Sequence, residues 1–436
     1  MLLASYYFYF SYNPWFLLLL IGTSVIDYWC ARQMSVVLNK RKFYLVLSLI
    51  TNLGVLAAFK YSAFFYNTGA ELSSFVTGKP YSLMEALVIP AGLSFYTFQS
   101  LSYTIDVYRG KYQPNDTLYE FLLYVSFFPH MVAGPVVRYN SLMPQLKALR
   151  FFSNIQWGAF AQLTIWGYFK KMVIADNLNN IVAPVFNEVQ AFNGAELFVA
   201  GLLFVIQVYC DFSGYSDIAT GVAKLFGIDL SLNYRRPMFS KSLHEFWQRN
   251  HISITTWFRD YLYIALGGNR VSYRQWLLNI FLVFVISGFW HGANTTFIIW
   301  GAIHGVFYIG EILIKRYYPA FRAPALLGFL YFIFLHTVSL IAFRSLNVND
   351  LALIYGRLFS FSSFSLNHLW QLNDGFFNVL VLVLMLIWLL KEIQEEHSII
   401  KEPMQARLKA AAYIMFVILI FMFGNFSANT FIYFQF

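Results

Sequence analysis

Four stretches of this chain carry residue types that could do chemistry. His291 stands in Ser287-Gly288-Phe289-Trp290-His291-Gly292-Ala293-Asn294, bracketed by glycines that permit close backbone approach. An imidazole titrating near about 6.5 suits a general base at neutral pH. His251 lies in Phe246-Trp247-Gln248-Arg249-Asn250-His251, which runs on to Trp257-Phe258-Arg259-Asp260-Tyr261. Arg249 and Arg259 are suited to an anionic group on a donor molecule, although the same mixture fits a basic, aromatic helix on a membrane surface. The third stretch is Tyr209-Cys210-Asp211-Phe212-Ser213-Gly214-Tyr215-Ser216-Asp217. Asp211 and Tyr215 share one helical face, as do Ser213 and Asp217. Such a face is too polar for lipid and must point inward, either as a hydrogen-bonded network between helices or as the wall of a water- or ligand-filled tunnel. The fourth is the aromatic C-terminus, where Tyr433 is either part of an interfacial anchor or a hydroxyl presented to a site. Asp211, Tyr215, Asp217, Trp290 and Asn294 join Arg249 and Arg259 as candidate substrate contacts. His304, inside the next apolar run, reads either as a packing partner or as a further member of the site. No zinc-type cluster, HExxH motif or phosphate-cradling glycine loop is present, so no metal site is expected.

The elements that must hold these residues are apolar helices. A span needs about 20 apolar residues to cross a hydrocarbon core about 30 Å thick. Candidate spans lie near 14–30, 43–62, 84–107, 156–175, 196–222, 275–290, 296–314, 325–343, 377–392 and 411–430. A further apolar stretch, 118–137, is broken by Pro129, Gly134 and Pro135 and reads as re-entrant. Counting about 1.5 Å per residue from Gln275 places His291 about 24 Å along its helix, short of a full crossing. The segment 224–274 reads as short interfacial helices rather than a free loop.

Composition agrees. Hydrophobic residues make up 59% and charged residues 12% of the 436, too little polar surface to clothe a water-soluble globule. The net charge of +9 comes from Lys and Arg in short loops between apolar runs, the positive-inside pattern, and does not call for nucleic acid. Basic clusters at 32–42, 138–150, 224–274, 315–322 and 391–409 are expected on the cytoplasmic side, and 176–195, 345–376 and both termini outside; Lys170 and Lys171 fit this map poorly. Cys30 and Cys210 form no disulfide framework, and no cleavable signal peptide is evident. The expected architecture is an all-α polytopic membrane protein, one membrane-embedded domain over 1–436, with roughly ten spanning helices plus re-entrant and interfacial helices around a central tunnel.

Taken in order, Val132-Ala133-Gly134-Pro135 with Arg138, the stretches 209–221 and 246–270, 288–293 with Trp300-Gly301-Ala302-Ile303-His304-Gly305, and the aromatic tail resemble the membrane-bound O-acyltransferase family. The similarity is greatest to its bacterial branch, which includes membrane components of alginate and peptidoglycan O-acetylation. Asn250 stands where the family commonly has Trp, and Ala265 where it often has Pro. The segment 2–7 resembles one usually preceded by another apolar helix. The resemblance implies a multi-helix fold around a tunnel, with His291 as the membrane-embedded catalytic histidine, His251 as the second motif histidine, and Tyr433 as a transient acyl carrier.

It further implies an O-acyltransferase, an O-acetyltransferase in the bacterial cytoplasmic (inner) membrane. Acetyl-CoA would be its donor substrate and no cofactor would be permanently bound. The acceptor would be an extracytoplasmic polysaccharide or peptidoglycan hydroxyl, with an extracytoplasmic acetyltransferase as partner. Asp211 or a neighbouring hydroxyl would orient the His291 imidazole. Two other readings of the same residues stand beside this one: a transporter or channel that uses the polar face as a permeation path, and a docking scaffold for an outer-side transferase.

Overall fold

The computed structural model describes residues 1–77, 82–148, 153, 155–360, 365–397 and 406–426. Among these the regular structure is helical. Six helices are long and apolar enough to cross a membrane: Pro14–Val36, Leu38–Thr77, Gly194–Leu225, Thr295–Tyr317, Ala325–Arg344 and Gly375–His397. The chain is a polytopic all-α membrane protein, and it falls into two compact units, 1–157 with 222–231, and 158–221 with 232–436.

The first unit holds α1 (Leu2–Tyr12), α2 (Pro14–Val36), α3 (Arg41–Leu56), α4 (Ser62–Thr77), α5 (Leu93–Tyr108), α6 (Leu118–Ser126) and α7 (Tyr139–Lys147). Asn13 caps α2 by accepting from Trp15 N, with Pro14 in the first helical turn where a missing N–H costs nothing. A fully buried carboxylate joins three helices: Asp27 of α2 accepts from Ser48 Oγ (2.6 Å) and Asn52 Nδ2 (2.8 Å) of α3 and from Ser100 Oγ of α5. The span expected at 84–107 differs from expectation. Its first part is not helical, and α5 begins only at Leu93. The reason is Gly92, whose φ of 72° is left-handed and whose absent Cβ would sit 2.5 Å from Met131 O. Nearly every residue of α5 is buried in protein. The broken stretch 118–137 forms α6, capped reciprocally by Thr117 and Glu120, then a single helical turn and extended chain. Neither helical piece is long enough to cross a bilayer.

The second unit holds α8 (Trp157–Tyr168), with Trp157 itself in the first, then α9 (Asp176–Asn187), α10 (Gly194–Leu225), whose last four residues count with the first, α11 (Leu243–Arg249), α12 (Ile252–Trp257), α13 (Tyr273–His291), α14 (Thr295–Tyr317), α15 (Ala325–Arg344), α16 (Val348–Ser360), α17 (Gly375–His397) and α18 (Ala406–Phe423). Between α8 and α9 the helix winds more widely through Phe169–Ala175. The end of α8 lies against α10 at very close range: a Cβ on Gly167 would meet Gly214 O at 2.6 Å, and one on Gly214 would meet Gly167 O at 2.8 Å. The segment 232–272 is not merely interfacial. Phe246, Trp257, Phe258 and Tyr261 are buried within the unit.

Candidate active site

Helices α13 and α14 are an antiparallel pair whose contact is set by glycine. A Cβ on Gly288 would collide with Phe297 O, and one on Gly301 with Phe284 O. With the two backbones this close, Trp300 is drawn against His291, their ring centroids 5.1 Å apart and their planes nearly perpendicular. Phe343 of α15 closes the third side, 5.3 Å from the same imidazole. His291 is the last residue of α13, and the chain leaves the helix extended at Gly292, where a side chain would overlap the Phe297 ring.

His291 opens onto a cavity of about 1810 Å³ within the second unit. From α13 the lining residues include Tyr273, Trp276, Ile280, Phe284, Ser287 and His291, one stripe at helical spacing. The stripe spans eighteen residues, hence about 27 Å at 1.5 Å per residue. α14 contributes Trp300 at one end and Lys315 and Arg316 at the other, as expected for an antiparallel partner. Lys241, Glu311 and Arg322 also line it, with Lys241 against Gly328 near the start of α15, so the end remote from His291 carries several charges, mostly cations; Arg259 lines it too, next to Phe258, whose ring is 5.9 Å from that of Trp290. Arg316 lies over the Tyr273 ring, 3.8 Å from its centroid.

His251 lines the same cavity. Its backbone is left-handed, φ 44°, an uncommon state for a residue with a Cβ. Two bonds to Asn233 and its flanks hold that conformation: Ile252 N donates to Asn233 O (2.8 Å), and Ser253 Oγ donates to Asn233 Oδ1 (2.8 Å). His251 Nδ1 is 3.3 Å from the same Oδ1. An amide oxygen that accepts from Ser253 can only accept from the imidazole, so the proton is placed on Nδ1 and Nε2 carries the lone pair. Burial pushes the His251 pKa down from 6.5 to about 3, so the ring is neutral at physiological pH. It can hydrogen-bond a ligand but brings no positive charge to one.

The remaining expected contacts separate. Arg259 reaches the cavity and pairs with Asp260 at 2.8 Å. Arg249 does not line it; the guanidinium is held by Glu245 (2.7 Å) and Glu396 (2.6 Å). Trp290 does not line the cavity either and is buried beside Phe258 and His291. Asn294 is the N-cap of α14, accepting from Thr296 N (3.1 Å) and donating to Leu346 O (2.7 Å). The polar face of α10 is turned away from the cavity toward the helical stretch 158–175. Asp211 pairs with Lys171 at 2.6 Å, Asp217 with Lys170 at 2.6 Å, and Lys170 also donates to Ser213 Oγ at 2.9 Å. Asp211 is thus held by Lys171, and Tyr215 is not among the residues that line the cavity; from α10 these include Tyr209 and Phe212. The same pairs explain why Lys170 and Lys171 sit poorly on a charge map of loops: they are interior counterions. Tyr433 lies outside the described residues.

Two residues not singled out as candidate contacts also line the cavity. His336 of α15 is 5% exposed, with Phe246 at 4.4 Å and Phe332 stacked at 5.4 Å, and its Nδ1 meets no hydrogen-bond partner among the described residues. Tyr209 donates to the buried Glu392 of α17 at 2.9 Å. An imidazole inside an apolar run is a signal for the first. The second heads the polar stretch 209–217, but nothing local marks its partner, which is 183 residues away.

The model of MBOAT, the membrane-bound O-acyltransferase family, matches residues 14–336. The chain belongs to that family. Its activity is therefore membrane O-acyl transfer, which requires an acyl donor. A relative named "probable alginate O-acetylase" from Pseudomonas aeruginosa is 37% identical over 379 residues, covering 86% of this chain and 72% of the relative. A peptidoglycan O-acetyltransferase of Helicobacter pylori is 32% identical over 415 residues, covering 87% and 76%. A teichoic acid D-alanyltransferase of Bacillus subtilis is 28% identical over 243 residues, covering 52% and 59%.

Proposed function

We propose that this O-acyltransferase moves acetyl groups from acetyl-CoA to a hydroxyl of an extracytoplasmic polysaccharide, in the cytoplasmic membrane of a bacterium. The observation that carries the reading is the cavity along α13, cationic at one end and ending on His291 at the other. A thioester donor with a polyanionic head and a thin arm matches that distribution: Arg259, Lys315, Arg316 and Arg322 face the head, and the acyl end lies at His291. His291 takes the proton of the acceptor hydroxyl as its oxygen attacks the thioester carbonyl, then returns it to the departing thiolate. Neutral His251, fixed as a donor at Nδ1, offers Nε2 to a polar hydrogen of a substrate. The names of the P. aeruginosa and H. pylori relatives support acetyl as the group and a polysaccharide as its destination. Tyr433 serves as an acyl relay to the acceptor or to a partner acetyltransferase outside the membrane.

The test is acetyl transfer by protein reconstituted in liposomes with radiolabelled acetyl-CoA and a polysaccharide acceptor. Wild-type protein transfers label and His291→Ala does not. Equal turnover by a folded His291→Ala protein removes His291 from the role, and label that crosses the bilayer without joining acceptor or protein would favour a transporter instead.

A further inference from the structure

Acyl transfer through a tetrahedral intermediate needs more than a base. As the acceptor oxygen bonds to the thioester carbon, the carbonyl π pair moves onto its oxygen. That oxyanion requires a hydrogen-bond donor already in place. Of the polar side chains that line the cavity, one beside His291 can supply it.

Trp300 is 4% exposed, lines the cavity and stands 5.1 Å, ring to ring, from His291. Its Nε1–H meets no acceptor among the described residues. An indole N–H left without an acceptor in a buried site forfeits about 1–3 kcal/mol. Phe would fill much of the same space without that cost, so bulk alone does not account for tryptophan. The ring is also held firmly. Phe343 packs edge-on at 5.3 Å and His304 at 4.9 Å, and His304 is itself fixed by a 2.9 Å hydrogen bond between its Nε2 and Ser339 Oγ. The glycine contacts between α13 and α14 set its distance from His291. A rigid donor beside the base, with its hydrogen-bonding capacity unspent, has the properties an oxyanion site requires.

We infer that the Trp300 indole N–H is the electrophilic partner of His291, donating to the thioester carbonyl oxygen as negative charge develops there. This rests on His291 being the base for acyl transfer. The step balances without another reactant. The acceptor O–H loses its proton to His291 and forms the C–O bond; the carbonyl pair moves to oxygen under the indole N–H. Collapse then restores C=O, breaks C–S, and the imidazolium proton goes to the thiolate.

The experiment replaces Trp300 by 3-benzothienylalanine, which keeps the fused ring and exchanges N–H for sulfur, alongside Trp300→Phe. Acetyl transfer from acetyl-CoA is measured in liposomes. The expected result is a loss of about 100- to 1,000-fold in kcat for both, with KM for acetyl-CoA within threefold and an unshifted pH profile for the benzothienyl protein. A packing role predicts near wild-type kcat for the benzothienyl protein, and kcat within threefold of wild type overturns the inference even if Trp300→Phe is unfolded. His291→Ala, run in parallel, separates the two claims: if it stays fully active the base assignment falls and this inference with it, whereas if only the Trp300 proteins stay active the oxyanion assignment falls alone.

Discussion

On α10, Asp211 and Asp217 face Lys171 and Lys170 at 2.6 Å each, and the pairs lie inside the packing of the second unit. Around α13, by contrast, His291, His251 and His336 line a cavity, and Glu311, Lys315 and Arg316 of α14 border it far from His291. Both regions place expensive polar groups in apolar helices. In the first, each charge has its counterion in the protein, and glycines bring the backbones into close contact. In the second, polar groups border open space. Polarity in a membrane helix therefore identifies a residue that must face inward, while only the completeness of its partners separates a structural clamp from a reactive site.

The contrast can be broken most severely at His291. Its replacement by Ala is expected to lower acetyl transfer by about 1,000-fold, within the 10²–10⁴ range of general-base catalysis, with the apparent melting temperature in detergent unchanged. The clamp behaves the other way round. Asp211→Asn leaves Lys171 without one of its two carboxylates, and a loss of about 3–5 kcal/mol of stability is expected, read as lower melting temperature and yield. Protein that does fold should retain its KM for acetyl-CoA, and an Asp211→Leu, Lys171→Met double replacement should recover much of the stability. A large KM change in Asp211→Asn would place that face on the substrate path after all.

Smaller effects belong to the cationic end. Lys315→Ala and Arg316→Ala should each raise the KM for acetyl-CoA about two- to fivefold, as exposed charges contribute about 0.2–1 kcal/mol, and the increase should shrink when salt is raised. The least of the four concerns His251. Its folded pKa of about 3 lies below the ordinary 6.5, so the unfolded chain binds the proton more readily between these values. The stability linked to His251 is complete above about pH 6.5 and is lost as pH falls toward 3. His251→Gln should flatten the acid side of a melting-temperature-against-pH curve by a few degrees; an unchanged slope would show that the ring is not buried neutral.

Much of the site is legible in the order of the residues. His291 in its glycine bracket and His251 in its aromatic, basic segment both reach one cavity. The segment 118–137 is broken where proline and glycine stand, because those residues restrict or free the backbone wherever they occur. Arg249, Trp290 and Asn294 look like ligands by residue type, yet they are a counterion, a packed ring and a helix cap. Each is defined by a contact to a neighbour that spacing does not reveal.

By itself the sequence determined the membrane class, the helical fold and the interior placement of its polar residues, since hydrophobicity and helical period are local properties and burying an unpaired charge in lipid is costly whatever the topology. Which of those interior residues face a cavity and which face counterions was decided by tertiary structure alone. That choice depends on how α10 rotates against the helical stretch at 158–175 and how closely α13 meets α14. Glycine contacts and ion pairs between distant segments fix both, so the reactive face of each helix exists only once its neighbours are in place.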